Sequence, residues 1–459
     1  MKLLLPLLFL LGSSLLQAAD STPNLIVIMT DDLGYADVGF NGCQDIPTPH
    51  IDRIADEGVV FSNGYVAYPV CGPSRAGFMT GRYQQRFGFE RNPQYRTDDP
   101  NMGLPLSEDT IASVLMKVGY TSGVVGKWHL GAHPDLHPLS RGFDFFHGHL
   151  GGGHRYFPEE LVIKDSYEAK DEPQSYRTWI LRNHKPVKPT KYLTDDFSDA
   201  AVEFLEMNWK NPFFLFLSYN APHTPLQATE KYLKRFDSID DKRRKTYAAM
   251  VSAVDDGVGR VLDKLDELEL AENTLVFFLS DNGGPTTKNA SLNTPLRGGK
   301  SDVWEGGHRV PFALRWSGEL PSGVTYENPV TSLDILATIA GLSGAAIAED
   351  RPLDGVNLVP FLKKEAKGIP HKVLYLRKWD QKRYSIRRGR YKLVIPGADA
   401  KPQLFNLSKD IAEKNNILFS NKEIATELEK LLRKWESELM EPQFLGLIHT
   451  DAWQNRSRQ

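Results

Sequence analysis

Four short, mainly apolar runs constrain the fold of this chain more than any other feature of its sequence. They read LIVIMT, YTSGVV, FFLFLS and TLVFFLS, and they span Leu25–Thr30, Tyr120–Val125, Phe213–Ser218 and Thr274–Ser280. Apolar runs of this length are typical of strands that are buried on both faces of a sheet. The sequence therefore predicts at least four such strands in one core.

Helical segments lie between these runs. Ser107–Val118 and Thr246–Leu268 carry apolar residues at helical spacing. Strands that alternate with helices predict an α/β fold in which a large mixed, mainly parallel sheet is flanked by helices. We assign residues 20–365 to this domain.

The pattern changes after about residue 365. Lys372–Trp379 and Tyr384–Ile395 resemble short strands joined by turns, and Glu423–Leu439 is an amphipathic helix. We therefore predict a smaller C-terminal α+β domain over residues 366–459.

The first residues predict export. Lys2 precedes the apolar run Leu3–Leu16, and Ala18 and Ala19 suit cleavage, so residues 1–19 are interpreted as a signal peptide. A membrane anchor is the alternative, but the run is shorter than the ~20 apolar residues that a bilayer requires. We expect a periplasmic or secreted protein without a stable membrane anchor. The net charge of -3 gives no reason to expect a nucleic-acid partner.

Polar residues follow each of the four runs. They are Asp31 and Asp32, Lys127 and His129, His223, and Asp281 and Asn282. Each alone is explained by a turn or a helix cap, but the carboxyl ends of parallel strands meet at one edge of a sheet. Four of these residues can supply oxygen ligands, which Ca²⁺ and Mg²⁺ prefer: Asp31, Asp32, Asp281 and Asn282.

A cysteine lies in the segment PVCGPSRAGFMTGR between the first two runs. Pro73 fits the first turn of a helix, which places Cys71 at the helix N-terminus with Arg75 one turn later. A thiol at such a position is expected to be acidic and reactive. A disulfide with Cys43, or two inert thiols, are the structural alternatives.

The segment resembles the type I, formylglycine-dependent sulfatases of the alkaline-phosphatase-like superfamily. Cys71–Arg75 matches their C-x-P-S-R core, and Thr80-Gly81 matches the Thr-Gly that follows, although Met79 stands where leucine is usual. The likeness extends to GGK at Gly298–Lys300 and WEGGHRVP at Trp304–Pro311.

The resemblance implies that residues 20–365 form the catalytic domain, and it implies a role for each matching residue. A maturation enzyme would oxidise Cys71 to formylglycine, which would complete a Ca²⁺ site with Asp31, Asp32, Asp281 and Asn282. Arg75 would fix and polarise the nucleophile. Four further residues would surround the sulfate: Lys127, His129, His223 and Lys300. The implied reaction is attack of the hydrated aldehyde on sulfur, with His223 or Lys300 protonating the leaving alcohol and His129 removing a proton to release sulfate.

The substrate is less constrained by the sequence. The loop GHLGGGHRY carries His154 and Arg155, and these residues with His308 are the predicted substrate-binding residues. Further candidates for the pocket are Arg91, Tyr95, Arg377 and Trp379. Cationic and aromatic groups suit a sulfated saccharide, so we expect a carbohydrate sulfatase. The alternatives are an arylsulfatase of broad specificity and a phosphate or phosphonate ester hydrolase of the same superfamily. A binding protein without turnover is disfavoured because no catalytic position is lost.

Overall fold

A computed structural model of the chain describes residues 22–161 and 178–450. The proposed signal peptide, residues 1–19, lies outside these ranges. Within them, no helix is both long and apolar enough to cross a membrane.

A ten-stranded sheet forms the centre of the molecule, with a two-stranded and a four-stranded sheet beside it. The strands of all three sheets are β1 (Asn24–Thr30), β2 (Val59–Phe61), β3 (Gly64–Tyr65), β4 (Thr121–Lys127), β5 (Phe145–His149), β6 (Ile180–Arg182), β7 (Lys185–Val187), β8 (Phe213–Ser218), β9 (Thr274–Ser280), β10 (Phe312–Arg315), β11 (Val324–Tyr326), β12 (Val330–Thr331), β13 (Val373–Lys378), β14 (Arg383–Arg388), β15 (Tyr391–Ile395) and β16 (Gln403–Asn406).

The large sheet has the order β11-β2-β10-β9-β1-β8-β4-β5-β6-β7. Its five central strands, β9 to β5, run parallel, whereas β10 and β6 join its two sides antiparallel. The mixed, mainly parallel sheet is therefore confirmed, and the four apolar runs are its four middle strands.

Helices cover the sheet and connect its strands. They are α1 (Pro49–Asp56), α2 (Cys71–Thr80), α3 (Ile111–Met116), α4 (Leu193–Asn208), α5 (Glu230–Leu233), α6 (Lys242–Glu267), α7 (Thr286–Asn289), α8 (Glu305–His308), α9 (Asp334–Ser343), α10 (Val359–Leu362) and α11 (Lys422–Glu436).

The helix expected over Ser107–Val118 is shorter than predicted. The side chain of Thr110 accepts a hydrogen bond from the backbone N–H of Ser113, and this cap starts α3 at Ile111. The predicted helix therefore began four polar residues too early, since its first apolar position, Ile111, is also the first residue of α3.

Alternate residues of the central strands contribute side chains to two hydrophobic cores. Leu25, Val27 and Met29 of β1 pack on one face of the sheet, and Ile26 and Ile28 pack on the other. Burial on both faces explains why the runs are apolar at every position rather than at alternate ones.

The C-terminal sheet is a four-stranded antiparallel meander, β13-β14-β15-β16, on which α11 packs through Leu428, Leu432 and Trp435. The segment Tyr384–Ile395 contains two strands, β14 and β15, with a turn at Gly389 (φ 55°). The predicted domain boundary at residue 365 falls between α10 and β13.

Candidate active site

The carboxyl ends of the parallel strands meet at one edge of the large sheet. Asp31 follows β1, Asp281 follows β9, and Lys127 is the last residue of β4. The backbone N–H of Asp281 donates to the carbonyl of Thr30 (3.0 Å), so the two aspartates leave adjacent strands side by side. The edge thus places the strand-end residues together, as the parallel topology requires.

Buried acidic groups and one thiol form the centre of this edge. Ligand atoms of Asp31, Asp281 and Cys71 lie within 4.8 Å of one another, and those of Asp31, Asp32 and His223 do the same. Asp32 has a φ of 65°, a conformation that few side chains other than glycine, asparagine and aspartate adopt. This conformation lets two consecutive carboxylates take part in one cluster.

Each of the three carboxylates is paired with a lysine or an arginine. The nitrogen–oxygen distances are 2.6, 2.7 and 2.9 Å for the pairs Lys127–Asp31, Lys300–Asp32 and Arg75–Asp281. Buried charges are tolerated only when they are paired in this way.

These pairs set the protonation of the carboxylates. Burial opposes the charged form of Asp31, but Lys127, His223 and Lys300 together favour it, and the pKa is lowered. The pKa of Asp32 is also lowered against burial, by Lys300 and His223 together. Burial and the neighbouring Asp31 raise the pKa of Asp281. Burial also disfavours the charged form of Lys300, but Asp32 and the other acidic groups of the cluster together raise its pKa well above the ordinary value.

Several buried polar atoms at the cluster have no hydrogen-bond partner within the described ranges. They are Oδ1 of Asp31, Oδ1 of Asn282 and Nη2 of Arg75. One carboxylate oxygen and one amide oxygen without a partner are hard ligands of the kind that Ca²⁺ coordinates. The residues present therefore fit a divalent cation bound through oxygen.

Cys71 is the first residue of α2 and follows Val70, which is extended. The backbone N–H of Gly72 donates to Oδ1 of Asn92 (2.9 Å), and Nδ2 of Asn92 lies 3.9 Å from the Cys71 sulfur. Neither cysteine is in a disulfide. Burial raises the pKa of the Cys71 thiol although Lys127 and Lys300 oppose it, so the expected acidic thiol is wrong for the unmodified side chain.

Two of the predicted histidines border the cluster. His129 has a φ of 61°, its Nδ1 is buried without a partner within the described ranges, and burial together with Lys127 lowers its pKa well below the ordinary value. Gly152 packs against it, since a Cβ at that position would lie 2.7 Å from Nε2. His223 places Nδ1 2.7 Å from the carbonyl of Thr224, so this nitrogen carries the hydrogen.

The predicted substrate-binding residues have other partners. His154 is fully buried, and its ring nitrogens lie 2.9 and 2.8 Å from the carbonyls of Arg155 and Thr178. His308 is buried against Lys392 of β15, with a nitrogen–nitrogen distance of 3.4 Å. These positions favour structural roles for both histidines, contrary to the expectation from the sequence.

Arg155 is half-buried, and its Nη1 lies 3.1 Å from a carboxylate oxygen of Glu160. The guanidinium of Arg155 lies on the loop that follows β5. Its role in substrate binding stays a prediction.

The further candidates for the pocket also have protein partners. Arg377 is buried and donates from Nε to Glu90 (2.9 Å), whereas Arg91 pairs with Asp380 at 2.6 Å. Lys382 places its ammonium 3.6 Å from the ring centroid of Trp379. These contacts fix the segment around β13 rather than leaving its side chains open.

Two residues of the site were missed by the sequence analysis. The Ser218 hydroxyl, at the end of β8, accepts from Nη1 of Arg75 and donates to the carbonyl of Lys127 (2.7 Å). Asn92 supports the start of α2. Ser218 is the last residue of one of the apolar runs, so its position could have identified it as a site residue. No sequence pattern around Asn92 indicates its role.

Comparison with known proteins agrees with this geometry. The Sulfatase family model matches residues 23–345, and the model described as N-sulphoglucosamine sulphohydrolase, C-terminal, matches residues 299–438. An arylsulfatase of Hemicentrotus pulcherrimus is 35% identical over 382 residues, which cover 81% of this chain and 67% of that protein. N-acetylgalactosamine-6-sulfatase of Homo sapiens is 34% identical over 367 residues, covering 75% and 66%.

A solved structure is similar over nearly the whole chain. Ps i-CgsB in complex with k-i-k-neocarrahexaose has a TM-score of 0.87 and 41% identity, and the match covers 95% of this chain and 97% of that one. By contrast, the two curated relatives are matched over about two thirds of their own length. The family model spans most of the chain and the strand-end residues converge as the motifs require; this chain therefore belongs to the sulfatase family and is a sulfuric ester hydrolase.

Proposed function

We propose that the protein removes sulfate from a sulfated saccharide, using a formylglycine made from Cys71 and a bound Ca²⁺. The overall reaction converts the sulfate ester and water into the free alcohol and hydrogen sulfate. The observation that carries the proposal is the buried cluster of Cys71 with oxygen ligands, two of which, on Asp31 and Asn282, have no partner within the described ranges.

The charges of the cluster support an anionic substrate. Three carboxylates are matched by three cations, so the site without a metal is close to neutral. A Ca²⁺ held by Asp31, Asp32, Asp281 and Asn282 would add positive charge, polarise sulfate oxygens and make the nucleophile more acidic. A net positive, buried site favours a sulfate group over a neutral one.

The chain's own side chains would supply charge stabilisation. Lys127 and Lys300 each hold an ammonium at the cluster, and donors placed in advance act where charge grows in the transition state. Arg75 is held by Asp281, Ser218 and the carbonyl of Lys127, and its Nη2 is the donor that has no partner within the described ranges.

Two histidines would move protons. Because its pKa is lowered well below the ordinary value, His129 is neutral at pH 7 and is able to accept a proton. The Nδ1–H of His223 donates to the carbonyl of Thr224, so proton transfer would occur at Nε2, which lies 3.6 Å from Asp32. His223 and Lys300 are the candidates to protonate the leaving alcohol.

The saccharide class is proposed from the relatives. The structure solved with k-i-k-neocarrahexaose and the N-acetylgalactosamine-6-sulfatase both point to sulfated sugars. An arylsulfatase of broad specificity is the second candidate, supported by the relative from Hemicentrotus pulcherrimus named arylsulfatase. Export through residues 1–19, to the periplasm or the medium, would bring the enzyme to a polysaccharide.

The experiment compares substrates on matured enzyme. The chain is co-expressed with a formylglycine-generating enzyme, peptide mass spectrometry measures the aldehyde at position 71, and kcat/KM is measured on sulfated oligosaccharides, an aryl sulfate and a phosphonate monoester. We expect aldehyde at Cys71 and the highest kcat/KM on a saccharide. An equal or higher value on the aryl sulfate would favour broad specificity, and full activity of a Cys71→Ala variant would exclude the proposed nucleophile.

A further inference from the structure

Two consecutive residues at the end of β13 connect the C-terminal sheet to the candidate active site. Arg377 donates to Glu90, on the segment that leads to Asn92. The ammonium of Lys378 lies 2.6 Å from both the carbonyl oxygen and the hydroxyl of Ser301. Both side chains are buried, at 1% and 4% exposure. The second contact matters for catalysis because Ser301 directly follows Lys300.

Ser301 has an unusual backbone. Its φ is 78°, in the left-handed region that is unfavourable for residues with a Cβ, so surrounding contacts must hold it there. Its N–H donates to the carbonyl of Pro69 (2.7 Å), two residues before Cys71. Ser301 therefore joins the loop of Lys300 to the segment that precedes the nucleophile.

Lys300 itself has a weaker backbone contact. Its N–H donates to Gly284 at 3.3 Å, close to the upper limit of a hydrogen bond, while its side chain extends to Asp32. The backbone conformation of the loop at Lys300 therefore depends on the next residue, Ser301. That residue is held from one side by Pro69 and from the other by Lys378.

A buried ammonium is costly unless its donors are satisfied. The acceptors of Lys378 are neutral, the carbonyl and hydroxyl of one serine, and burial lowers its pKa to about 8. A hydrophobic residue would fill the same space without this cost. The hydrogen bonds to Ser301 are what a lysine adds at this position.

We propose that Lys378 is a positioning residue for Lys300: the C-terminal sheet holds Ser301 in its left-handed conformation and so fixes the ammonium of Lys300 at the sulfate. This inference rests on the proposed role of Lys300 in the sulfate site. It makes the C-terminal sheet a part of the catalytic framework of the enzyme.

The test is a double-mutant cycle on the matured full-length enzyme with an aryl sulfate. Since small displacements of catalytic groups are costly, Lys378→Met should lower kcat about tenfold. In a Lys300→Ala background the same substitution should lower kcat at most about twofold, because the residue it positions is gone. Lys372→Met, on the exposed residue before β13, is the matched control, and Lys378→Arg should recover part of kcat.

Amide hydrogen exchange supplies a readout that does not depend on activity. Residues 298–302 should exchange faster in Lys378→Met than in Lys372→Met, while the melting temperature changes little. Equal fold-losses of kcat in the two backgrounds, or unchanged exchange, would overturn the inference. A normal kcat in Lys300→Ala alone would instead refute the proposed role of Lys300, so the two failures are distinguishable.

Discussion

Lys127, the last residue of β4, reaches across β8 and places its ammonium 2.6 Å from a carboxylate oxygen of Asp31, which follows β1. Both side chains are fully buried. The pair therefore has two functions, since the lysine expected at the sulfate also neutralises a proposed metal ligand. Removing it should affect stability as well as turnover.

We expect Lys127→Ala to lower kcat by roughly 10²–10³-fold, which is typical of losing one donor to a developing charge. Without Ca²⁺ it should also destabilise the fold, because Asp31 is left buried and uncompensated; such losses are about 3–5 kcal/mol. Urea unfolding with and without Ca²⁺ measures the second effect, and Ca²⁺ should recover part of it. Lys185→Ala, on an exposed strand, is the control. A near-normal kcat would show that Lys127 does not act on the sulfate.

The central sheet and the cluster of acidic residues were predictable because both depend on local sequence. Strands buried on both faces must be apolar at every position, and parallel strands end at one edge. The polar residues after β1 and β9 therefore had to converge, and this convergence follows from local sequence patterns without any knowledge of distant contacts.

The rest depends on contacts between distant parts of the chain. His154 lies in a glycine-rich loop that suggests exposure, but the carbonyl of Thr178, 24 residues later, binds its ring in the interior. Lys378 meets Ser301, 77 residues earlier, and no pattern in either segment indicates the pairing. Burial also reversed the expected pKa shift of the Cys71 thiol, and burial is not encoded locally.

Removal of the proposed Ca²⁺ should lower both activity and thermal stability. A ligand that binds only the folded state stabilises it by about 2.7 kcal/mol at a concentration of 100 Kd. After dialysis against a chelator, Tm should rise with added CaCl2, less with MgCl2, and kcat should recover in parallel. Asp281→Asn should weaken this dependence while keeping the side-chain size. A Tm and kcat that do not respond to Ca²⁺, or stoichiometric zinc in the purified enzyme, would contradict the prediction.

Arg155 should affect the saccharide rather than the sulfate group. A guanidinium can bind a second sulfate or a carboxylate through two hydrogen bonds, which a small aryl sulfate does not offer. We expect Arg155→Ala to lower kcat/KM on a sulfated oligosaccharide by at least about tenfold, because a hydrogen bond to a charged group contributes about 1.5–3 kcal/mol. The same substitution should leave kcat/KM on the aryl sulfate unchanged. Arg260→Ala, a surface arginine paired with Asp199, is the control. Equal losses on both substrates would place Arg155 in folding or in the catalytic core.

A buried carboxyl on α6 makes stability depend on pH. Oδ1 of Asp255 accepts the backbone N–H groups of His50 and Ile51, at 3.0 and 2.8 Å, which belong to the first turn of α1. Burial raises its pKa to about 7 although these donors oppose the shift. The folded protein therefore keeps a proton that the unfolded chain releases above pH 3.8.

Stability from Asp255 is thus fully present below pH 3.8 and is lost as the pH rises toward 7. Asp255→Asn keeps an oxygen for both N–H groups but cannot ionise, so its free energy of unfolding should fall less steeply between pH 4 and 7. The measurement is urea unfolding across that range. Asp256→Asn is the control: burial opposes its charge but Arg235 lowers its pKa, so its contribution is lost only as the pH falls below 3.8, and between pH 4 and 7 its curve should run close to that of the wild type. Parallel curves for Asp255→Asn and the wild type would show that this carboxyl does not titrate there.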